Sequence, residues 1–190
     1  MPIEHFFPKI FYYKDAIVSK SENCVLIAET GRLRADFPVS TRDNLYTTYG
    51  SVANVLARAE FASLRAAIAT AVQEYLTHLD TRDGTRYVIS DSWVSISGPG
   101  DHERMHTHDG AYVSGVYYLQ TTPNCGNLYF EELQDNLWAS NRSKPELFNT
   151  VSYIPVERRL ILFNSRIPHH VGRNRSTAER IALSCNIALL

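Results

Sequence analysis

Apolar residues repeat every three or four positions between Glu60 and Leu79, whereas the second half of the chain carries them in short runs separated by turns. The repeat begins at Phe61, Leu64 and Ile68, which share one face of a helix, with charged residues on the other face. We therefore expect one long amphipathic helix over 60–79. A shorter helix is expected over 51–58, and the TRDG cluster within 80–85 ends the helical region.

After residue 85 the chain alternates short runs rich in Val, Ile, Tyr, Phe and Trp with Gly, Pro, Asn and Asp turns. This rhythm favours an antiparallel double-sheet jelly roll over alternating βαβ units. The expected strands are RYVISDSWVSISG (86–98), ERMHTH (103–108), AYVSGVYYLQ (111–120), NLYFEE (127–132), RLILFNS (159–165) and RIALSCNIAL (180–189).

The predicted fold class is mostly β with α. It is a double-stranded β-helix of the jelly-roll or cupin kind, preceded by a long amphipathic helix that packs on one sheet. We expect one domain over 1–190, with a supporting region over 1–85 and the jelly-roll core over 86–190. CVLIAE (24–29) is predicted as an edge strand, which could pair across a homodimer. The unpatterned stretch 133–155 is predicted as an insertion that covers the mouth of the site.

Composition narrows the class of protein. At 190 residues and 44% hydrophobic, the chain can bury one sizeable core. The net charge of -1, with no block of like charges, disfavours a nucleic-acid partner. Three widely spaced cysteines match no zinc or secreted-scaffold spacing, which suits a reducing compartment. Neither a leader pattern nor a run of eighteen apolar residues is present, so we expect a cytoplasmic protein that does not bind membranes.

Histidines at two places form the strongest chemical pattern. His106 and His108 lie two residues apart, so on a strand their imidazoles point to the same side. His169, from a distant segment, could complete one face of a metal's coordination shell. Two alternatives stay open: Asp109 could replace His108 as ligand, and His170 could replace His169, because Pro168 makes the local backbone irregular.

Arg180 follows eleven residues after His169 and opens the last apolar strand. There its guanidinium would point into the barrel, and its fixed fork of donors suits a carboxylate. Histidines and arginine together indicate an iron site with a nearby anion-binding group.

Five pieces of the chain, in this order, resemble the 2-oxoglutarate and Fe(II)-dependent oxygenases. The likeness is to the prolyl-4-hydroxylase-like branch and to small bacterial and phage members with an HxH motif, and it covers roughly residues 90–190. The pieces are SWVSISGPGDHERMHTH, SGVYYL, GNLYF, LILFNSRIPHHV and RIALSCN.

This resemblance implies that His106 and His169 ligate Fe(II), that Arg180 grips the distal carboxylate of 2-oxoglutarate, and that Tyr118 touches this co-substrate. It also implies a reaction with O2 that decarboxylates 2-oxoglutarate and hydroxylates a small-molecule or peptide substrate, which the sequence does not identify.

The chain departs from the family pattern at two positions. Most relatives carry a carboxylate two residues after the first histidine, where this chain has His108. We favour three histidine ligands, which leave the site one unit more positive and should strengthen its hold on the 2-oxoglutarate dianion. The second departure is Ala182, where relatives often have a hydroxyl group. Ser184, on the same face, could take its place in the co-substrate pocket.

A rival interpretation keeps the barrel without 2-oxoglutarate. It is a cupin-like three-histidine site that binds iron, nickel or zinc and acts as another metal enzyme or as a metal-binding protein. A glutamate within four residues of HxH would mark such a site, and Tyr112 with Val113 stand there instead.

Overall fold

The computed structural model describes residues 8–38, 41–42, 45–52, 54–133 and 143–190. In these ranges two antiparallel sheets form the double-stranded β-helix that the sequence predicts. The strands in chain order are β1 (Phe11–Lys14), β2 (Thr41–Arg42), β3 (Leu45–Thr47), β4 (Tyr87–Ser97), β5 (Glu103–His106), β6 (Val113–Gln120), β7 (Leu128–Glu131), β8 (Thr150–Tyr153), β9 (Leu160–Asn164), β10 (His169–Val171) and β11 (Arg180–Leu189).

The larger sheet has seven strands in the order β1-β9-β6-β11-β4-β3-β2, and the smaller has four in the order β5-β10-β7-β8. The long central strands β4, β6 and β11 match the predicted ones within two residues, because their alternating and β-branched residues suit a sheet buried on both faces. The segment before residue 86 also contributes to the larger sheet: β1 pairs with β9, and β3 pairs with β4.

Two helices cover the outer face of the larger sheet. Helix α2 (Ala62–His78) confirms the amphipathic helix, and its buried residues pack on the sheet as predicted. Helix α1 (Lys20–Asp36) precedes it. The fully buried residues of this layer include Leu26, Leu33, Leu64, Ile68, Val72, Tyr75, Val94, Tyr117, Leu160, Leu162, Leu183 and Ile187.

The prediction of a strand over CVLIAE (24–29) is wrong, because these residues lie inside α1. Ser19 caps the helix, accepting a hydrogen bond from the backbone of Glu22, whose side chain accepts one from the backbone of Ser19. This capping box fixes the helical start. The buried face of α1 includes polar residues, which conceals its helical period. A helical CVLIAE has no strand edge for the homodimer pairing that was expected there.

Other local predictions also need correction. The expected short helix over 51–58 is reduced to one 3-10 turn at Val55–Ala57. Part of the supposed insertion over 133–155 is β8, which pairs with β7 at the edge of the smaller sheet; residues 134–142 of that stretch lie outside the described residues. The sequence also missed β1 and β10, which are only four and three residues long and depend on pairing with distant strands.

Side chains of β11 alternate between two environments. Ile181, Leu183 and Ile187 belong to the helix-covered layer, whereas Ala182 faces the space between the sheets. A second apolar cluster fills part of that inner space and joins the two sheets. It is formed by Tyr118, Leu128, Phe130, Ile161, Phe163, Ile167 and Ala182.

Among the residues described, neither helix has the length and apolar character that crossing a bilayer requires.

Candidate metal centre

Three histidines from two remote segments meet between the sheets. β5 pairs with β10 so that His106 lies opposite His169, and His108 follows two residues after His106. The ring centroids of His106 and His169 are 4.3 Å apart. The ring centroid of His108 lies 5.0 Å from that of His106 and 5.1 Å from that of His169. One candidate ligand atom from each ring lies within 4.8 Å of the other two. Imidazoles at this spacing can share a single ion.

Backbone carbonyl groups orient two of the rings. The Nδ1 atom of His106 lies 2.7 Å from the carbonyl oxygen of Arg104, and that of His169 lies 2.8 Å from the carbonyl oxygen of Ile167. A carbonyl oxygen can only accept, so each Nδ1 carries the proton and donates it. The Nε2 lone pairs are then left for a metal, because a hydrogen bond from Nδ1 to a backbone oxygen fixes the tautomer and the orientation of a histidine ligand.

His169 is held in its neutral form. Burial, with the neighbouring His106 as the next largest cause, lowers the pKa of His169 to about 3. Desolvation disfavours the charged imidazolium form of the ring. A metal binds the neutral ring, so His169 needs no deprotonation at neutral pH to become a ligand.

The structure separates the alternatives that the sequence left open. His170 points to the outer face of the smaller sheet, where its ring stacks on Tyr129 with centroids 4.8 Å apart and planes 7° apart. Asp109 lies in an exposed turn after the motif and is not part of the histidine cluster. His108 and His169 therefore are the residues brought together with His106.

A cleft opens beside the histidines. Trp93 on β4 forms its wall, with its ring 5.5 Å from that of His108, and Tyr49 meets Trp93 edge to face at 5.0 Å. Neither Tyr49 nor the short strand β3 was predicted, because the stretch 30–50 carries no motif and the position of β3 depends on pairing with β4. The cleft is lined by Leu45, Thr47, Tyr49, Trp93, Glu103, His106, Thr107 and His108.

Arg180 is buried between the sheets, with 4% of its surface exposed. Its Nη1 donates to the carbonyl oxygens of Cys125 and Gly126, and its Nη2 donates to the hydroxyl of Ser97 at 2.7 Å. Within the described ranges no carboxylate forms an ion pair with Arg180. A buried guanidinium held only by neutral acceptors favours the binding of an anion. Ser97, its direct partner across β4, was not anticipated from the sequence.

Tyr118 lies in the inner cluster, opposite Ala182 on β11. Burial raises the pKa of Tyr118 to about 12, while the charge of Arg180 acts in the opposite direction, which places the two groups in electrostatic reach of each other. The phenol therefore keeps its proton at neutral pH and can donate a hydrogen bond. Tyr117 faces the helices instead, and its hydroxyl donates to Asn23.

Ser184 lies two residues beyond Ala182 and lines an inner pocket together with His106 and His169. This pocket reaches from the histidines to the larger sheet. Ser184 therefore adjoins the candidate metal site. It lies four residues after Arg180 on β11, so the two side chains point to the same face of the strand.

Comparison with known proteins gives one family match. The model of the family described as "Putative 2OG-Fe(II) oxygenase" matches residues 91–186, just over half of the chain. This range contains all three clustered histidines, Tyr118, Arg180 and Ser184. The comparison with curated proteins gave no match.

Solved structures of similar fold span nearly the whole chain. A prolyl-4-hydroxylase from Pseudomonas putida has a TM-score of 0.64 at 19% identity, covering 94% of this chain and 91% of that one. HygX from Streptomyces hygroscopicus, solved with nickel and 2-oxoglutarate bound, has a TM-score of 0.68 at 14% identity, covering 94% and 82%. A prolyl hydroxylase from Trichoplax adhaerens, in complex with a hypoxia-inducible-factor peptide fragment, has a TM-score of 0.64 at 18% identity, covering 94% and 83%. These identities establish a shared fold.

Proposed function

This chain belongs to the 2OG-Fe(II) oxygenase family, and from that premise we propose that it is a dioxygenase that hydroxylates a small-molecule or peptide substrate. Its co-substrates would be 2-oxoglutarate and O2. The observation that carries the proposal is that three imidazoles close enough to share one ion lie between the same two sheets as a buried guanidinium that forms no ion pair with a carboxylate of the described residues.

His106, His108 and His169 would hold the iron. Their donor set fits Fe(II), because imidazole is a suitable ligand and three ligands on one side leave positions open for a bidentate co-substrate and dioxygen. When bound, Fe(II) supplies the chemistry in which 2-oxoglutarate, O2 and a substrate C–H become succinate, carbon dioxide and an alcohol.

Arg180 and Tyr118 would orient 2-oxoglutarate. The guanidinium of Arg180 would bind the distal carboxylate through charge-assisted hydrogen bonds, and the protonated phenol of Tyr118 would add a neutral donor. Ser184 lines the inner pocket with the histidines and would add a hydroxyl group to the co-substrate site. Both ends of the dianion would then meet positive charge, since the three histidine ligands are neutral and do not themselves offset the charge of the ion.

The side chains around the histidines would exclude water from the reaction. Phe163 packs edge-on against His169 with centroids 4.8 Å apart, and Trp93 covers His108. Exclusion of water strengthens the electrostatic interactions inside the site and protects a reactive oxidant. The cleft that Trp93 and Tyr49 line together is the opening through which a substrate C–H bond would approach.

An anaerobic titration with Fe(II) and 2-oxoglutarate tests the proposal. A chelated keto acid gives a visible charge-transfer band, which we expect in the wild-type protein. His106→Ala should remove the band, and Arg180→Ala should require much more keto acid to develop it. Arg173→Ala is the matched control, because Arg173 is exposed and its Nη1 donates to the carbonyl oxygen of Gly100.

Two results would contradict the proposal. A band unchanged in both variants would mean that neither residue takes part in binding. Zinc or nickel held tightly without any band from Fe(II) and 2-oxoglutarate would favour the cupin-like metal protein instead. Formation of succinate in the presence of O2 then distinguishes an active enzyme from a binding protein.

A further inference from the structure

A β-bulge lies in β5, immediately before the histidine motif. His106 pairs with His169, and Glu103 pairs with Val171, so three residue steps on β5 face two steps on β10. Residues three apart on a regular strand point to opposite faces. The extra residue reverses this alternation and turns Glu103 to the same side as His106. Both side chains accordingly line the same two pockets.

The bulge brings the Glu103 carboxylate close to Nε2 of His106, the nitrogen proposed to bind the metal. The Oε1 atom of Glu103 lies 4.0 Å from Nε2 of His106, the nitrogen that remains available after Nδ1 donates to Arg104. Glu103 is the only acidic side chain among the described residues that line the cleft and the inner pocket. Its carboxylate makes no hydrogen bond with another residue in the described part of the chain. Bulges beside active sites commonly redirect a side chain in this way.

We propose that Glu103 is the carboxylate of the metal centre and carries the negative charge that the histidine triad lacks. The inference rests on the metal site proposed above. In this arrangement Glu103 would act on the ion through its charge, without taking one of the positions left open by the histidines, and it would oppose the binding of a second anion. The sequence motif alone places Glu103 on the far side of the strand, so only the bulge makes this role feasible.

Glu103→Gln tests the proposal because it removes the charge and preserves the shape. Mn(II) affinity, measured by electron paramagnetic resonance of the free ion without keto acid, should fall about 10- to 100-fold. The affinity of the Fe(II)-loaded protein for 2-oxoglutarate, measured anaerobically from the charge-transfer band, should rise at least threefold. If Glu103 had only a structural role, Glu103→Gln would weaken the affinity for Mn(II) and the affinity for 2-oxoglutarate alike.

Glu131→Gln is the matched control. Glu131 Oε1 also lies 4.0 Å from a histidine nitrogen, Nδ1 of His170, and its exposure is similar, but this pair is on the outer face of the smaller sheet. We expect unchanged affinities for Mn(II) and for 2-oxoglutarate.

The outcomes separate the two proposals. Wild-type metal binding that Glu103→Gln leaves unchanged, or that falls together with keto-acid affinity, would overturn the role of Glu103 alone. Absence of metal binding in the wild type would overturn the metal site and the role of Glu103 with it.

Discussion

The two faces of the ten-residue strand β11 differ in their roles: one packs in the apolar core, and the other carries the polar side chains of the candidate site. Toward the helices the strand presents Ile181, Leu183 and Ile187, which are at most 6% exposed and pack in a continuous apolar layer. Toward the smaller sheet it presents Arg180, the proposed anion-binding group, and Ser184, which lines the pocket beside the candidate metal site. The comparison shows how a strand can hold polar side chains in fixed positions on one face, because packing of its other face keeps its backbone rigid.

The helix-covered face should respond most strongly to substitution. Leu183→Ala removes a fully buried side chain and should lower the free energy of unfolding by about 2–5 kcal/mol, since it loses transfer energy and leaves a cavity. Urea denaturation followed by circular dichroism measures the change. The keto-acid affinity of the folded fraction should stay at the wild-type value, and a large loss of affinity would contradict the division between the faces.

The inner face should show the opposite behaviour at Arg180. Arg180→Ala should weaken 2-oxoglutarate binding about 100-fold, because truncating one partner of a buried charge pair costs about 2–5 kcal/mol. Metal affinity measured without keto acid should change much less. Equal losses of metal and keto-acid affinity would indicate that Arg180 supports the whole site rather than the anion.

The helix-covered layer contains a buried polar residue, Asn23, whose replacement tests the comparison further. Asn23 on α1 donates to the carbonyl oxygen of Leu119 and accepts from the hydroxyl of Tyr117, each at 2.8 Å. Asn23→Ala leaves both partners unsatisfied in a buried place and should cost about 1–3 kcal/mol of stability. Denaturation of the double variant with Tyr117→Phe would show whether the two losses are coupled; additive losses would exclude the coupling.

The smallest expected effect is at Tyr118. Tyr118→Phe removes one neutral donor from the inner face and should reduce keto-acid affinity about threefold to tenfold, the value of one ordinary hydrogen bond. The charge-transfer titration measures it. Tyr117→Phe, the adjacent residue on the helix-facing side, is the control and should leave keto-acid affinity unchanged.

The sequence predicted what depends on local pattern. Helix α2 followed from its apolar repeat, and β11 was bounded correctly because its ten residues are almost continuously apolar between polar turns. Helix α1 was mistaken for a strand because its buried face includes Asn23, Glu29 and Thr30, whose polar atoms are satisfied by hydrogen bonds and ion pairs. Apolar periodicity cannot reveal a face that is buried through hydrogen bonds.

The same distinction applies to the site. His106 and His108 could be grouped from their spacing, and Arg180 from its odd place in an apolar strand. The side that Glu103 faces depends on a bulge, and the contacts of Ser97 and Tyr49 depend on pairing between distant strands. Such placements are set by tertiary structure, which spacing does not encode.

Two of the three acceptors that hold Arg180 are main-chain oxygens, those of Cys125 and Gly126. Replacing a side chain does not remove a backbone carbonyl, so random mutagenesis of the loop around Cys125 would leave most of the hydrogen bonds to the Arg180 guanidinium intact. Gly126 is the exception: its φ of +92° suits glycine, and any added Cβ would overlap the carbonyl oxygen of Gly172. Libraries that aim to change which acid the protein accepts should therefore spare this one position and vary the walls around it.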